Sequence, residues 1–297
     1  MGSMTAELLE IDGERPRLLG LAYQMLGTAA DAEDAVQEAI SRFYALPVQD
    51  RAAVHRPGAW LMRTTGRIAL DVLKSARRKR ELYVGEWLPE PIPGRGEEAE
   101  GSSPESYAVL QTEVSYGLMV VLEWLSPAER AVFVLRESFG LGFSETSEVV
   151  LRTPGACRQL ATEARKKIQA GKATRGSEEA GHAQLVRAFA EACATGDIAE
   201  LTRLLDPSVE LRSDGGGVVS AARRPVIAAE NVAKMLVGLR QKFPEAEVEP
   251  VTLTGGEHGA LFRLGEEVGG VVACGVVHGV IEQVWIMRNP EKLRLWQ

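Results

Sequence analysis

The run Asp31-Ala32-Glu33-Asp34-Ala35-Val36-Gln37-Glu38 sets Asp31, Asp34 and Glu38 at i, i+3 and i+7, so on a helix these carboxylates form one acidic stripe. Such a stripe is either an ordinary solvated face or an electrostatic dock for a basic partner helix. Paired-carboxylate hydrolysis and metal binding are poorly supported, because no histidine lies nearby and every side chain projects from the same helix. The opposite charge gathers between Trp60 and Arg80, where Arg63, Arg67, Lys74, Arg77, Arg78, Lys79 and Arg80 surround an apolar face. A nucleic-acid surface and a solvated helix both fit that pattern. Further on, Thr153-Pro154 opens a helix whose outer side carries Arg158, Gln159, Arg165, Lys166 and Lys167, with Arg152 in the turn before it. Arginine and glutamine are the side chains that read purine edges in the major groove, and lysines hold phosphates. A structural αα-hairpin would show the same spacing. Near the C-terminus stand the polar residues Asp214, His258 and His278, and the aromatic Trp285. Each polar one also has a plain reading: Asp214 as a turn residue before Gly215-Gly216-Gly217, His258 as a hairpin tip after Gly256-Glu257, and His278 as a strand residue facing either way.

These side chains need elements to carry them. Leu18, Leu19, Ala22, Met25 and Leu26 recur at helical spacing and stop at Gly27-Thr28. A second helix runs from near Asp31 through Phe43 and ends before Pro47, and a third follows Pro57-Gly58. Residues 86–107 are rich in Pro, Gly, Glu and Ser and read as a linker. Trp87, Leu88 and Ile92 inside it have no local shelter, which predicts that they dock on another domain. Helical periodicity resumes at Val109, and Ser126-Pro127 supplies an N-cap followed by proline at the first helical position. Two helices, about 144–150 and 154–169, joined by Leu151-Arg152-Thr153, have the helix-turn-helix layout. Beyond a second polar break the texture changes. Helices at about 182–194, 198–205 and 231–241 accompany β-branched alternating runs at 209–211, 218–219, 248–253, 260–264, 268–277 and 280–287, which indicates an α+β domain with a curved antiparallel sheet.

With 297 residues and 45% of them hydrophobic, the chain has material for two or three cores. No run of about 18 apolar residues and no basic flank before an apolar stretch is present, so no membrane association and a cytoplasmic location are expected. Met1-Gly2-Ser3-Met4 reads as an expression remnant ahead of a native start at Met4. Cys157, Cys193 and Cys274 lie far apart without CxxC spacing, which predicts buried thiols and neither a disulfide framework nor a metal site; no cofactor is expected. The net charge of −7 alone would speak against a nucleic-acid binder, but the cationic residues are locally concentrated.

In their order along the chain, AYQMLGTAADAEDAVQEA, PGAWLMRTTGRIALDVLKSARRKRE and SPAERAVFVLRESFGLGFSE…PGACRQLATEARKKI resemble regions 2 and 4 of an extracytoplasmic-function sigma-70 factor. WLPEPI, LVRAFAEACATGDIAELTRLLDPSVELRSDGGG and NPEKLR resemble the subgroup with an added SnoaL-like domain of the nuclear-transport-factor-2-like fold. The resemblance implies a multidomain protein: a region 2 helical domain at 5–85, a linker at 86–107, a region 4 helix-turn-helix domain at 108–172 and an α+β cone at 182–297. It implies core RNA polymerase and promoter DNA as partners. Asp31, Asp34, Gln37 and Glu38 would bind the polymerase clamp, and Arg63, Arg67, Lys74, Arg77 and Arg78 the minus-ten element. Arg152, Arg158, Gln159, Arg165 and Lys166 would lie on the minus-thirty-five element. Trp87, Leu88, Pro89, Glu90 and Pro91, with Asp214, Gly215, Gly216, Gly217, Asn289, Pro290 and Lys292, match segments through which the added domain governs the sigma modules. Cones of this kind enclose a pocket for small molecules, which makes Asp214, His278 and Trp285 its candidate lining and ligand conversion the rival activity. The chain departs from the family pattern at Thr146, Ser147 and Leu151. A leucine at a turn that needs φ > 0 costs on the order of 1 kcal/mol, and the polar pair weakens the inner face of its helix.

Overall fold

Side-chain caps start helices at Ser126, as the sequence predicts, and at Thr28, which the sequence marks only as the stop of the preceding helix. The Thr28 side chain accepts the Asp31 N–H at the start of α2 (Ala29–Tyr44), which buries Ala32, Ala35, Val36, Ala39 and Phe43. Ser126 and Glu129 form a reciprocal capping box on α6 (Pro127–Phe133). The computed structural model describes residues 2–80, 83–94, 114–170 and 179–297. The acidic half of the linker, the start of the 109–125 helix and the second polar break lie outside the described residues.

Contacts gather the chain into two units, residues 1–81 with 121–171 and residues 82–120 with 172–297. In the first unit α1 (Gly2–Leu26) and α2 pack against α4 (Pro57–Arg80), with the short α3 (Val48–Ala52) between α2 and α4 in sequence. On the same α4 lie α6 and α7 (Phe143–Val150), the latter followed by α8 (Pro154–Ala170). The two helical stretches thus share one packed body. Arg130 pins it: the side chain is 1% exposed, its Nε donates to the Gln24 carbonyl at 2.9 Å, and it is paired with Glu123.

The second unit holds α5 (Tyr116–Leu122) as far as Val120, α9 (Glu179–Thr195), α10 (Ile198–Leu204), α11 (Ala229–Lys242) and a six-stranded sheet in the order β2-β1-β6-β5-β4-β3. The strands are β1 (Leu205–Asp214), β2 (Val226–Ile227), β3 (Glu247–Thr252), β4 (His258–Leu264), β5 (Glu267–Val277) and β6 (Val280–Met287). Neighbours are antiparallel except β1, which runs parallel to β6. This is the α+β architecture expected of the C-terminal segment. Val272, Cys274 and Val276 of β5 face the core under α9 to α11, while Val271 and Ala273 face a second core on the outer side of the sheet. Alternate side chains of one strand point to opposite faces, so a strand covered on both sides is apolar throughout. The strand expected at Val218-Val219 is a turn instead. Both N–H groups fold back onto the Gly215 carbonyl, and Val218 is 78% exposed; the short partner of β1 is Val226–Ile227.

Candidate nucleic-acid interface and linker clasp

The acidic stripe lies on the solvent side of α2. Asp31, Asp34, Gln37 and Glu38 are all exposed, opposite the buried alanine face. Asp31 accepts the Thr28 hydroxyl and Glu38 pairs with Arg42, whereas Asp34 makes no ion pair among the described residues.

The cationic side chains of α4 are placed differently from one another. Lys74 is exposed and pairs with Asp71 one turn away. Arg63 lies 3.6 Å from the Glu148 carboxylate, and Arg67 donates to the Glu148 carbonyl at 2.9 Å. Glu148 belongs to α7, so a helix of the second helical stretch sits against the basic face of the first. Arg77 and Arg78 belong to α4, but their side chains lie outside the described residues.

The helix-turn-helix presents Arg152, Arg158, Gln159, Arg165 and Lys166 to solvent. Arg158 stacks on Phe143, Arg165 pairs with Glu137, and Lys166 pairs with Glu163. Of the polar pair Thr146 and Ser147, Thr146 lies on the inner face of α7. Thr146 is fully buried and its hydroxyl donates to the Gly142 carbonyl at 2.9 Å, so the polar atom is satisfied inside the helix; Ser147 does the same to Ser144 from the exposed side. Leu151 does take the left-handed conformation, with φ 55° and ψ 49°.

The linker docks as its apolar side chains require. Leu88 and Ile92 are buried, Leu88 among Tyr116, Val251, Leu261, Trp285 and Trp296 on the outer face of the sheet. Prolines offer carbonyls but no N–H, and the strap is held accordingly: the Tyr116 hydroxyl donates to Pro89 O at 3.0 Å and the Trp296 indole to Pro91 O at 2.8 Å. At its near end Asp214, fully buried, accepts the Leu88 N–H at 3.0 Å and the Tyr83 hydroxyl at 2.6 Å. Lys292 answers with Nζ, 2.7 Å from Asp214 and 2.6 Å from Leu88 O, and lies 3.9 Å from the centre of the Trp87 ring. Glu90, also buried, lies between these fixed points. Asn289 donates to the Tyr83 hydroxyl and caps the turn Pro290–Lys292 that aims the lysine. Burial, then the bond to Asp214, hold the Tyr83 phenol well above its ordinary range. Two glycines are forced here: a Cβ on Gly215 would meet Val219 O at 2.2 Å, and one on Gly216, whose φ is 68°, would meet Asn289 at 2.6 Å. Gly217 lies against Val84.

The comparisons agree with this layout. The Sigma-70 region 2 family matches residues 11–79. The ECF RNA polymerase sigma factor SigJ of Mycobacterium tuberculosis (strain ATCC 25618 / H37Rv) is 33% identical over 96% of this chain and 93% of its own length. The chain belongs to the extracytoplasmic-function sigma factor family. SigI of the same species (strain CDC 1551 / Oshkosh) is 35% identical over 94% of this sigma factor and 92% of its own length. The crystal structure of M. tuberculosis SigJ aligns with a TM-score of 0.75 at 31% identity, covering 96% of this chain and 98% of that one.

The expected pocket lining is not assembled in this sigma factor. Asp214 is spent in the clasp, and Trp285 faces the outer core with its ring against Tyr116. His278 is not a strand residue but an exposed member of the His278-Gly279 turn, with φ 51°. His258 is not a hairpin tip either: it opens β4, its ring 5.9 Å from that of His182. A sheet has two faces, and these residues are distributed over both and over its end. Residues that the motifs did not single out complete the clasp. Tyr83 and the Glu86–Arg212 ion pair at 2.7 Å had only their closeness in sequence to the WLPEP and DGGG segments as a signal.

Proposed function

We propose that this sigma factor binds core RNA polymerase through Asp31, Asp34, Gln37 and Glu38, and promoter DNA through two cationic helices. Arg63, Arg67, Lys74, Arg77 and Arg78 of α4 take the minus-ten element, and Arg152, Arg158, Gln159, Arg165 and Lys166 the minus-thirty-five element. Residues 5–85 and 108–172 act as the two sigma modules, 86–107 as the linker and 182–297 as a regulator that works by binding, in the cytoplasm, where polymerase and DNA are. The observation that carries this reading is the acidic ridge. Four polar side chains face solvent on a helix whose other side is fully packed, which is a surface available to a cationic partner. The clasp supports the regulatory part, because Asp214 and Lys292 hold the segment that joins the two modules.

Run-off transcription with purified core polymerase tests it. Asp34→Arg is expected to abolish product by reversing charge on the ridge, and Arg158→Ala to reduce it at least tenfold. Lys292→Met leaves Asp214 charged and buried without its cation, at a cost of about 3–5 kcal/mol, and is expected to change transcript yield while the helical unit stays folded. Wild-type yield from Asp34→Arg would refute the polymerase assignment.

A further inference from the structure

The inner face of the C-terminal sheet carries a cavity of about 60 Å³. Leu236 and Leu239 of α11, Phe243, Val248 of β3, Phe262 of β4 and Ile286 of β6 wall it. Its two charged lining residues are both arginines, Arg240 and Arg288. Arg240 is committed to the fold: Nε donates to Ala194 O at 2.7 Å and Nη1 to Phe243 O and Ala246 O at 3.2 Å. Arg288 is not so committed. Its Nη1 donates to Ser220 O at 2.7 Å and its Nε reaches Gly269 O at 3.4 Å, while Nη2 makes no hydrogen bond among the described residues. Neither guanidinium has a carboxylate partner among the described residues. The Arg288 guanidinium also lies 5.7 Å from the centre of the Phe243 ring, so the cation sits beside an apolar wall.

A half-buried guanidinium held only by carbonyls favours an anion, and its planar edge suits a carboxylate. We propose that this cavity binds a small organic carboxylate with an apolar body, the carboxylate on the free edge of Arg288 and the body among the leucine and phenylalanine side chains. The cavity has less than half the roughly 150 Å³ that encloses benzene, so the body is a short aliphatic chain or a ring entered by one edge, with the charged end at the mouth. The place of Arg288 gives the site a consequence. Its own N–H donates to Asp214 O at 2.7 Å, and the next residue is Asn289, which opens the clasp turn. An occupant that fixes Arg288 therefore fixes the end of β6 that carries Asn289 and Lys292, and tightens the hold on Leu88.

Isothermal titration of the full-length protein with hexanoate and with benzoate, against 1-hexanol as the uncharged analogue, tests the site. Saturable binding of at least one carboxylate is expected, at least tenfold tighter than 1-hexanol. Arg288→Gln is expected to weaken it at least tenfold, and Ala246→Trp, which fills the mouth from a residue outside the packed core, to abolish it with Arg288 intact. No saturable binding of either carboxylate, equal affinity for 1-hexanol, or unchanged binding by Ala246→Trp would each overturn the site. Hydrogen exchange at the Leu88 amide reads the coupling and is expected to slow at least threefold on saturation. Unchanged exchange with binding intact would overturn the coupling alone.

Discussion

Leu151 sits at the tightest point of the helix-turn-helix with φ 55°, and 69% of it is exposed. It bears the cost of a left-handed backbone without burying its side chain in return. Replacement by glycine removes roughly 1–2 kcal/mol of steric strain and returns part of that through a freer unfolded chain. Leu151→Gly should therefore stabilise the protein by about 0.5–1 kcal/mol, seen as a higher urea midpoint with unchanged slope; a lower midpoint would mean that the leucine packs on something after all. Glu257 makes the opposite kind of exception. Burial raises its pKa to about 7, against the pull of the Gly117 N–H, the Ser115 side chain and the Tyr116 backbone, which favour the carboxylate. Because the folded protein holds this proton more tightly than the unfolded chain, the contribution to stability is full below about pH 4.5, declines as pH rises to about 7, and is flat above. Glu257→Gln keeps an acceptor for Gly117 and removes the titration. Relative to wild type it should gain on the order of 2 kcal/mol at pH 8 compared with pH 5, measured by urea unfolding at both pH values. Neither the strain nor the shift is written in the residue type. A leucine in a turn raises suspicion, but a glutamate after two glycines is indistinguishable from a solvated loop residue until the 115–117 segment is laid against it.

In the contact of α7 with α4, the face proposed for DNA is also a packing surface. Arg63 and Arg67, the DNA-facing candidates, are engaged by one residue, Glu148, through its carboxylate and its carbonyl. The ion pair is more than a third exposed on both sides and contributes little stability, yet it competes with phosphate for Arg63. Glu148→Ala should change the unfolding free energy by less than about 0.5 kcal/mol while raising the affinity of the free protein for a minus-ten single strand two- to fivefold, read by fluorescence anisotropy at low salt. An unchanged affinity would mean that Glu148 does not restrain Arg63. At this scale most elements were legible from periodicity. The α2 ridge, the capped α6 and the helix-turn-helix rest on local patterns, and β5 was legible from its β-branched residues. The failures were Val218-Val219, where two valines imitate a strand although the preceding glycines turn the backbone, and the short α3, whose five residues bury no side chain and so leave no periodic trace.

At the scale of the molecule, an acidic protein has to grip an acidic polymer. The sequence holds 41 acidic against 34 basic residues, so DNA affinity rests on local cationic surfaces, while the remainder of the chain repels phosphate at distances beyond a Debye length only weakly in physiological salt. Sequence order separated the helical stretches into two modules and a linker, and the unsheltered side chains of the strap signalled its docking; that both helical stretches pack into one unit was not legible, because Arg130 and Gln24 are juxtaposed across more than a hundred residues without any repeating pattern. The electrostatic consequence is a steep dependence on ions. Each phosphate neutralised lowers the logarithm of affinity by about 0.9 per decade of salt on duplex and about 0.7 on single strands. Free protein should bind promoter duplex weakly at low salt and lose that binding as salt rises, with the polymerase complex much less affected. Arg158→Ala should weaken the duplex and flatten its salt slope by at most about one phosphate, whereas Asp34→Arg should leave the slope for free protein unchanged or steeper, because the role proposed for that position is toward the polymerase. Equal salt slopes for wild type and Arg158→Ala, with equal affinities, would remove α8 from the DNA surface while leaving the acidic ridge untouched, so the two halves of the functional reading stand or fall separately.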